Sequence, residues 1–299
     1  MASQAYERLN PVAFGHHAIT TGDLDPVYCA LSEMPLDEAQ RNRWLIAYWC
    51  FYHCGFASYA SEAEGEDFWK VMLEAGRNET VSPAGGRWPR GSERRHFRGK
   101  QAEAALKELM ARYGSDTCGM VNTILGEPSD EIPFDPLPFK TVADRVKTHR
   151  GFGPWIAFKV ADMVDRVIRQ PVEFNDAAVF MFKDPVKGAG LVARWVALGE
   201  PETFDPQDVL VALDEPVTGG DIHVAVTYLQ EKLGHLQAPP HADRAINLQE
   251  VETVLCKWKS HLRGHYPLYN DIDEILHGLD PKWGRTAADF HKAMPKREN

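Results

Sequence analysis

The sequence predicts an all-α protein, on three observations. Apolar and aromatic residues recur at three- and four-residue steps along most of the chain, the period of one face of a helix. Long alternating runs of β-branched residues are nearly absent. Prolines stand at the starts of periodic segments and glycines at their ends, as helix termini require.

The elements come in this order. Pro35 opens a helix over residues 36–62, with Trp44, Leu45, Tyr48, Phe51, Tyr52 and Gly55 at helical steps. A second helix covers 66–76, with Phe68, Val71 and Met72 inward. Ser92 is placed to cap a long helix that ends before Gly114, burying Ala105, Leu106, Leu109 and Met110. Pro128, Pro133, Pro136 and Pro138 make residues 126–138 a loop. A short helix at 141–148 comes next, and Pro154 starts another that runs to about residue 169. Later helices fall at 221–233, closed by Gly234, at 244–262 and at 272–276. His16-His17 reads as loop, and Pro239-Pro240 as a stiff connection. There is no internal repeat.

Composition narrows the class. The chain has 299 residues, 44% hydrophobic and 25% charged, an ordinary globular mix able to bury a core. Its charge-free aromatic run at 44–61 is short and interrupted by His53 and Gly55, so no membrane-spanning helix and no membrane partner are expected. The opening MASQAYERLNP has no basic start before an apolar stretch, so no signal peptide is expected. Five cysteines without paired spacing suggest free thiols in a reducing compartment, here the cytoplasm.

Net charge is −10, which taken alone argues against a nucleic-acid partner. The distribution argues the other way. Residues 87–100 hold Arg87, Arg90, Arg94, Arg95, Arg98 and Lys100 against the single acid Glu93. A second cluster is Lys140, Arg145, Lys147 and Arg150; a third is Lys257, Lys259 and Arg263, with His261 and His265 interleaved. Phosphate binding needs local positive potential, not a basic total. Each cluster taken singly also fits a solvated surface.

The most specific local signal is helix, Gly151-Phe152-Gly153, Pro154, helix. Gly151 suits a position with positive φ, and Pro154 suits the first turn of the next helix. Backbone N–H groups then point outward at a helix N-terminus, a seat for phosphate. A tight turn between two packed helices is the alternative. Asp176 lies further on, inside the apolar stretch Val172-Glu173-Phe174-Asn175-Asp176-Ala177-Ala178-Val179-Phe180; it could also be a helix N-cap.

The hairpin, the next helix and Asp176 together resemble the helix–hairpin–helix DNA glycosylases, over residues of about 140–183. That resemblance implies two helical lobes in one domain over 1–299, with a C-terminal helical region of about 221–279. It implies that Gly151 and Gly153 grip backbone phosphate and that Asp176 sits in a flipped-base pocket. Where bifunctional glycosylases carry a sugar-attacking lysine, this chain has Trp155; Lys159 lies a turn later, which disfavours lyase chemistry. With Arg43-Trp44-Leu45, Tyr52-His53 and the block Cys256-Lys257-Trp258-Lys259-Ser260-His261-Leu262-Arg263-Gly264-His265-Tyr266, the chain resembles the amino acid:DNA transferases of phage thymidine hypermodification, also called α-glutamyl/putrescinyl thymine pyrophosphorylases. It is similar also to the helical domain found with 5-hydroxymethyluracil DNA kinases.

This resemblance implies an enzyme that displaces pyrophosphate from 5-pyrophosphoryloxymethyluracil in DNA with the amine of a glycine-like amino acid or a polyamine. The partners are DNA carrying the modified thymine, that amine, and functionally a 5-hydroxymethyluracil DNA kinase. A phage-encoded enzyme would work in the host cytoplasm. Cations must meet the leaving-group charge, a base must take the amine's proton, and a wall must receive the base. Asp176, Lys259 and His265 are the expected catalytic residues. Trp155, Phe152, Lys257, Ser260, His261 and Tyr266 are expected to bind substrate, with Phe174 as further wall. Arg94, Arg95, Arg98, Lys100, Gly151 and Gly153 are expected to bind DNA. Cofactors are none besides the amine co-substrate, although the chemistry leaves room for a divalent metal. Cys50, His53 and Cys54 share a helical face but lack a second ligand pair, so a packed core is expected there and no metal. The alternatives are a monofunctional glycosylase using Asp176 and water, and a non-catalytic DNA-binding protein.

Overall fold

The structure is a computed structural model and describes residues 7–114, 116–126, 135–175 and 182–297. Among these residues the α-helices, in chain order, are α1 (Pro11–Thr20), α2 (Pro26–Glu33), α3 (Glu38–Phe51), α4 (Cys54–Ser61), α5 (Gly65–Arg77), α6 (Gly99–Tyr113), α7 (Thr117–Leu125), α8 (Phe139–Lys147), α9 (Pro154–Met163), α10 (Lys183–Ala197), α11 (Pro206–Leu210), α12 (Gly219–Leu233), α13 (Leu248–Leu262), α14 (Asn270–Gly278) and α15 (Arg285–Ala293). The sheet content among them is one parallel pair, β1 (Leu137–Pro138) with β2 (Val172–Glu173), Leu137 opposite Val172. The fold is all-α.

The chain forms two compact units. The first holds residues 1–26, 174–272 and 295–299. Its core is built by α1, α10, α12 and α13, with Phe14, Trp195, Leu229, Val254, Trp258 and Leu262 buried together. Gly188 sets the approach of α10 to α13: a Cβ there would stand 2.1 Å from the Leu255 carbonyl oxygen. Any side chain would therefore push the two helices apart.

The second unit holds residues 27–173 and 273–294. Its centre is α3, buried from Asn42 through Phe51 and apolar on every side from Trp44 onward, a stretch that only a multi-helix core can cover. Helices α4, α7 and α9 pack on it, α5 pairs with α6, α8 with α9, and α15 with α4.

Several boundaries differ from expectation. The single helix over 36–62 is two helices. Tyr52 adopts φ +52°, and the last carbonyls of α3 are bonded by groups from another segment: Gly91 N donates to Phe51 O (2.9 Å) and Arg94 Nε to Cys50 O (2.9 Å). His53 then caps α4, its Nδ1 accepting from Phe56 N at 3.1 Å. Ser92 opens only a 3-10 turn over Ser92–Arg94, and α6 starts at Gly99 with φ +59°. His16 and His17 lie inside α1, not in a loop; Asn10 caps that helix through Ala13 N (2.8 Å) and Pro11 stands at its first position. Helix α13 begins later than expected because Asn247 and Glu250 form a capping box, and Arg244 grips Glu250 instead of joining the helix.

Candidate functional site

The turn between α8 and α9 forms as its sequence prescribes. Gly151 has φ +84°, and a Cβ there would also meet the Phe97 ring at 3.3 Å. Pro154 stands at the first turn of α9, and Gly153 caps it, exposed and with open space where a side chain would be. His149 braces the turn from beneath. Its Nδ1 bonds Val146 O (2.9 Å) and its Nε2 meets the Tyr113 hydroxyl (2.6 Å); burial lowers its pKa and favours the neutral ring.

The basic stretch beside this turn divides by direction. Arg94 is 2% exposed, and its guanidinium spans Cys50 O (2.9 Å) and Gly151 O (2.8 Å) while lying over the Phe97 and Phe152 rings. In place of the expected phosphate contact, it fastens the end of α3 to the turn. Arg95, Arg98 and Lys100 are exposed on the same stretch. The second basic cluster is mostly committed. Lys140 and Lys147 flank Asp144 (2.5 and 2.7 Å), and Arg145 donates to Ile124 O (3.2 Å) and to Leu125 O. Arg150, at the turn itself, is exposed.

Phe152 is buried at 4% under Arg94, so it supports the turn from inside and is not an open wall; Phe174 is buried at 2%. Trp155 is half-buried, its ring edge-to-face with Tyr52 at 4.7 Å and 73°. Tyr52 was not expected in the site. Its left-handed backbone is a sparsely populated conformation for a bulky residue, of the kind that clusters at functional sites.

Helix α9 carries a polar stripe that sequence reasoning missed, although charges at helical steps could have found it. Trp155, Lys159 and Asp162 come at steps of four and three, one face of a helix whose other positions (Ile156, Ala157, Phe158, Val160, Ala161) are apolar, and Arg166 follows in a π-helical turn over Val164–Ile168. Lys159, Asp162 and Arg166 are all buried. Lys159 Nζ lies 3.1 Å from Asp162 Oδ2, and the Tyr28 hydroxyl donates to the same oxygen at 2.6 Å. The Lys159 ammonium also sits over the Tyr28 and Phe158 rings (5.7 and 5.4 Å). Asp176 lies outside the described residues.

The C-terminal block, in the first unit, is largely committed to internal bonds. Lys257 donates to Asp23 O (3.0 Å) and Leu24 O, pairs with Asp271 (2.7 Å) and lies over the Tyr266 ring (5.5 Å). The Tyr266 ring also meets Phe14 edge-to-face at 6.1 Å. Both ring nitrogens of His261 meet backbone: Leu9 N donates to Nε2 (2.9 Å) and Nδ1 bonds Tyr266 O (2.8 Å). Lys257, His261 and Tyr266, expected at substrate, thus have structural partners. Lys259 pairs with Asp184, whose side chain is 56% exposed. Ser260 is half-buried and His265 exposed, just beyond the end of α13.

Asp23 was missed by sequence reasoning. It is 1% exposed; burial pushes its carboxyl up to about 6, against the opposing pull of Lys257. Cys50 and Cys54 are buried, and burial lowers His53 to about 4 and pushes the Cys50 thiol to about 12. Among the described residues no group of three or more His, Cys, Asp or Glu is placed to hold a metal ion. No helix among them is long and apolar enough to cross a membrane.

A helical protein with an exposed turn at a helix N-terminus and an adjacent row of outward cations has the means to meet a polyanion. Comparison with known proteins names the polyanion. A family model described as amino acid:DNA transferase matches residues 4–266, and the chain belongs to that family. It is a transferase that acts on DNA, carrying an amino acid or a polyamine to it. The chain is 47% identical to a glycinyltransferase of Pseudomonas phage PaMx11, over 98% of its own length and 99% of the relative's. It is 30% identical to a putrescinyltransferase of Delftia phage PhiW-14, over 92% of its own length and 79% of the relative's.

Proposed function

We infer that this enzyme attaches glycine, or a closely similar amino acid, to the 5-methylene carbon of pyrophosphorylated 5-hydroxymethyluracil in DNA. The observation that carries the choice of amine is the near full-length likeness to a glycinyltransferase, well above the likeness to a putrescinyltransferase. In the reaction the amine first gives up one proton. Its lone pair then forms the C–N bond, the C–O bond breaks, and the electron pair leaves with pyrophosphate. A 5-hydroxymethyluracil DNA kinase supplies the activated base, and the host cytoplasm is the setting.

The work is divided among several groups of residues. The Gly151–Gly153 turn and the α9 N-terminus receive one backbone phosphate, with Arg95, Arg98, Lys100 and Arg150 providing the surrounding field. The base leaves the duplex stack, since its reacting carbon is otherwise hard to reach, and stacks on Trp155 backed by Tyr52. Asp176 takes the proton of the amine. Lys259 and His265, with Ser260, meet the charge that develops on the leaving group; the exposed partner of Lys259, Asp184, can give way to it. The support is local chemistry and exposure: a carboxylate after the turn, and donors at the end of α13 that are not all consumed internally.

The test is incubation with pyrophosphorylated duplex and glycine, followed by mass spectrometry of intact nucleosides. A glycyl-methyl adduct with release of pyrophosphate is the expected product. Abasic sites would replace this reading with glycosylase chemistry, and unaltered DNA would leave only binding.

A further inference from the structure

We propose that Lys159 and Asp162 form the receptor for the amino-acid co-substrate, the lysine facing its carboxylate and the aspartate its ammonium, with Tyr28 as the positioning residue. The proposal rests on the transfer of an amino acid by this enzyme and names the groups that recognise it.

The first support is placement. Both residues lie on the face of α9 that begins with Trp155, the helix whose N-terminus forms the turn. Lys159 is five residues past Pro154, about 8 Å along the axis at the rise of an α-helix. Lys159 therefore lies one helical turn further into the protein than Trp155, on the same face.

The second support is energetic. A buried lysine–aspartate pair costs desolvation of both charges, and apolar residues of similar volume often serve stability as well or better. The positions of α9 around the pair, Ile156, Ala157, Phe158, Val160 and Ala161, are apolar and buried. What the pair offers is two opposite full charges at fixed separation in surroundings of low dielectric. An α-amino acid is the small molecule with the matching pattern, a carboxylate and an ammonium on one carbon. A diamine lacks the anion that the lysine would face.

The third support is rigidity. Asp162 Oδ2 accepts from Tyr28 as well as meeting Lys159, and the lysine ammonium lies over the Tyr28 and Phe158 rings. These contacts restrict the long lysine side chain, the condition for a single charge to discriminate between donors.

The experiment measures transfer to pyrophosphorylated duplex as a function of glycine concentration, and in parallel with glycinamide, which keeps the amine and lacks the carboxylate. Lys159→Met should raise the KM for glycine about 10- to 100-fold, the loss of one charge-assisted contact, with a smaller change in kcat. It should also bring glycine and glycinamide to near parity, while DNA affinity stays as in the wild type. Should Lys159→Met alone fail to fold, the neutral pair Lys159→Met with Asp162→Asn carries the same test, because it leaves no charge of this pair buried alone. Tyr28→Phe should raise the KM for glycine less than Lys159→Met does. A purely structural pair would lower thermal stability and leave the KM ratio of glycine to glycinamide untouched, which would overturn the proposal. A wild-type enzyme that makes no glycine adduct would overturn the function itself; a wild type that does, with an unchanged ratio in the variants, would overturn only the receptor.

Discussion

Arg94 Nη1 donates to the carbonyl oxygen of Gly151 at 2.8 Å, and this bond joins the basic stretch to the turn. Through Nε the same guanidinium reaches the Cys50 carbonyl at the end of α3. One buried cation therefore sets the position of the exposed cations that come after it in the chain. It also occupies an acceptor on the turn, leaving the outward N–H groups of α9 for a ligand.

Arg94→Ala should destabilise the protein by about 2–4 kcal/mol, because two buried carbonyls lose a charged donor. Denaturant titration reads that loss as a lowered midpoint. The triple variant of Arg95, Arg98 and Lys100 to Ala should keep the wild-type midpoint. It should weaken binding to DNA of any sequence and flatten the salt dependence by up to ~3 in log–log slope. An unchanged slope would assign these residues to ordinary surface.

The two glycines of the turn should respond differently. Gly151→Ala meets both a positive φ and the Phe97 ring, and should cost about 1–2 kcal/mol of stability. Gly153→Glu has open space and ordinary φ, so stability should hardly change. It places a carboxylate where the phosphate is proposed to sit, and DNA affinity should fall. Equal affinity in wild type and Gly153→Glu would remove the phosphate from this helix end.

Asp176→Asn should retain DNA affinity and lose about 100- to 10,000-fold in turnover, the usual contribution of a general base. Single-turnover rates on pyrophosphorylated duplex provide the measurement. Turnover near that of the wild type would take Asp176 out of the reaction.

Asp23 predicts a pH dependence of stability with an unusual sign for a carboxylate. Its pKa is raised to about 6 in the folded protein from an ordinary 3.8, so the folded state holds the proton more tightly than the unfolded chain. Between those values the folded state binds more protons, and stability from this group falls as pH rises. The full fall is about 3 kcal/mol at most. Asp23→Asn keeps an acceptor for Ile272 N and removes the titration. Relative to wild type, it should therefore gain stability between about pH 4 and about pH 7.5, as read from urea unfolding at both. A difference that is the same at both pH values would show that Asp23 does not titrate in this window.

Lys257 and His265 should separate structure from chemistry within one short block. Lys257→Met leaves Asp23 and Asp271 near each other without their shared cation, and should destabilise by about 3–5 kcal/mol. His265→Ala should leave stability as it is. If His265 meets the leaving group, the variant slows the reaction on pyrophosphorylated DNA more than it weakens binding of unmodified DNA. Equal losses in both would make it a DNA contact, and no loss in either would end its role.

The amino-acid sequence by itself determined the helical class, the turn at Gly151–Gly153 and the family. These depend on local information: three- and four-residue periodicity, a glycine where φ is positive, a proline at a helix start, and the order of residues along the chain. The polar pair Lys159 and Asp162 was legible in the same way, as charges at a helical step in an apolar helix. Only the tertiary structure decided which cations face water. Arg94 and Arg95 are neighbours in sequence, yet one is buried against Cys50 and Gly151 and the other is exposed. Lys257 and His261 stand in a donor-rich block but are consumed by Asp271, Leu9 and Tyr266, residues distant or out of phase in the chain. The break at Tyr52 was likewise invisible, because the groups that end α3 come from residues 91–94. Hydrogen bonds across the fold, not residue type, choose the partner of each buried charge; density of charge in sequence carries no direction.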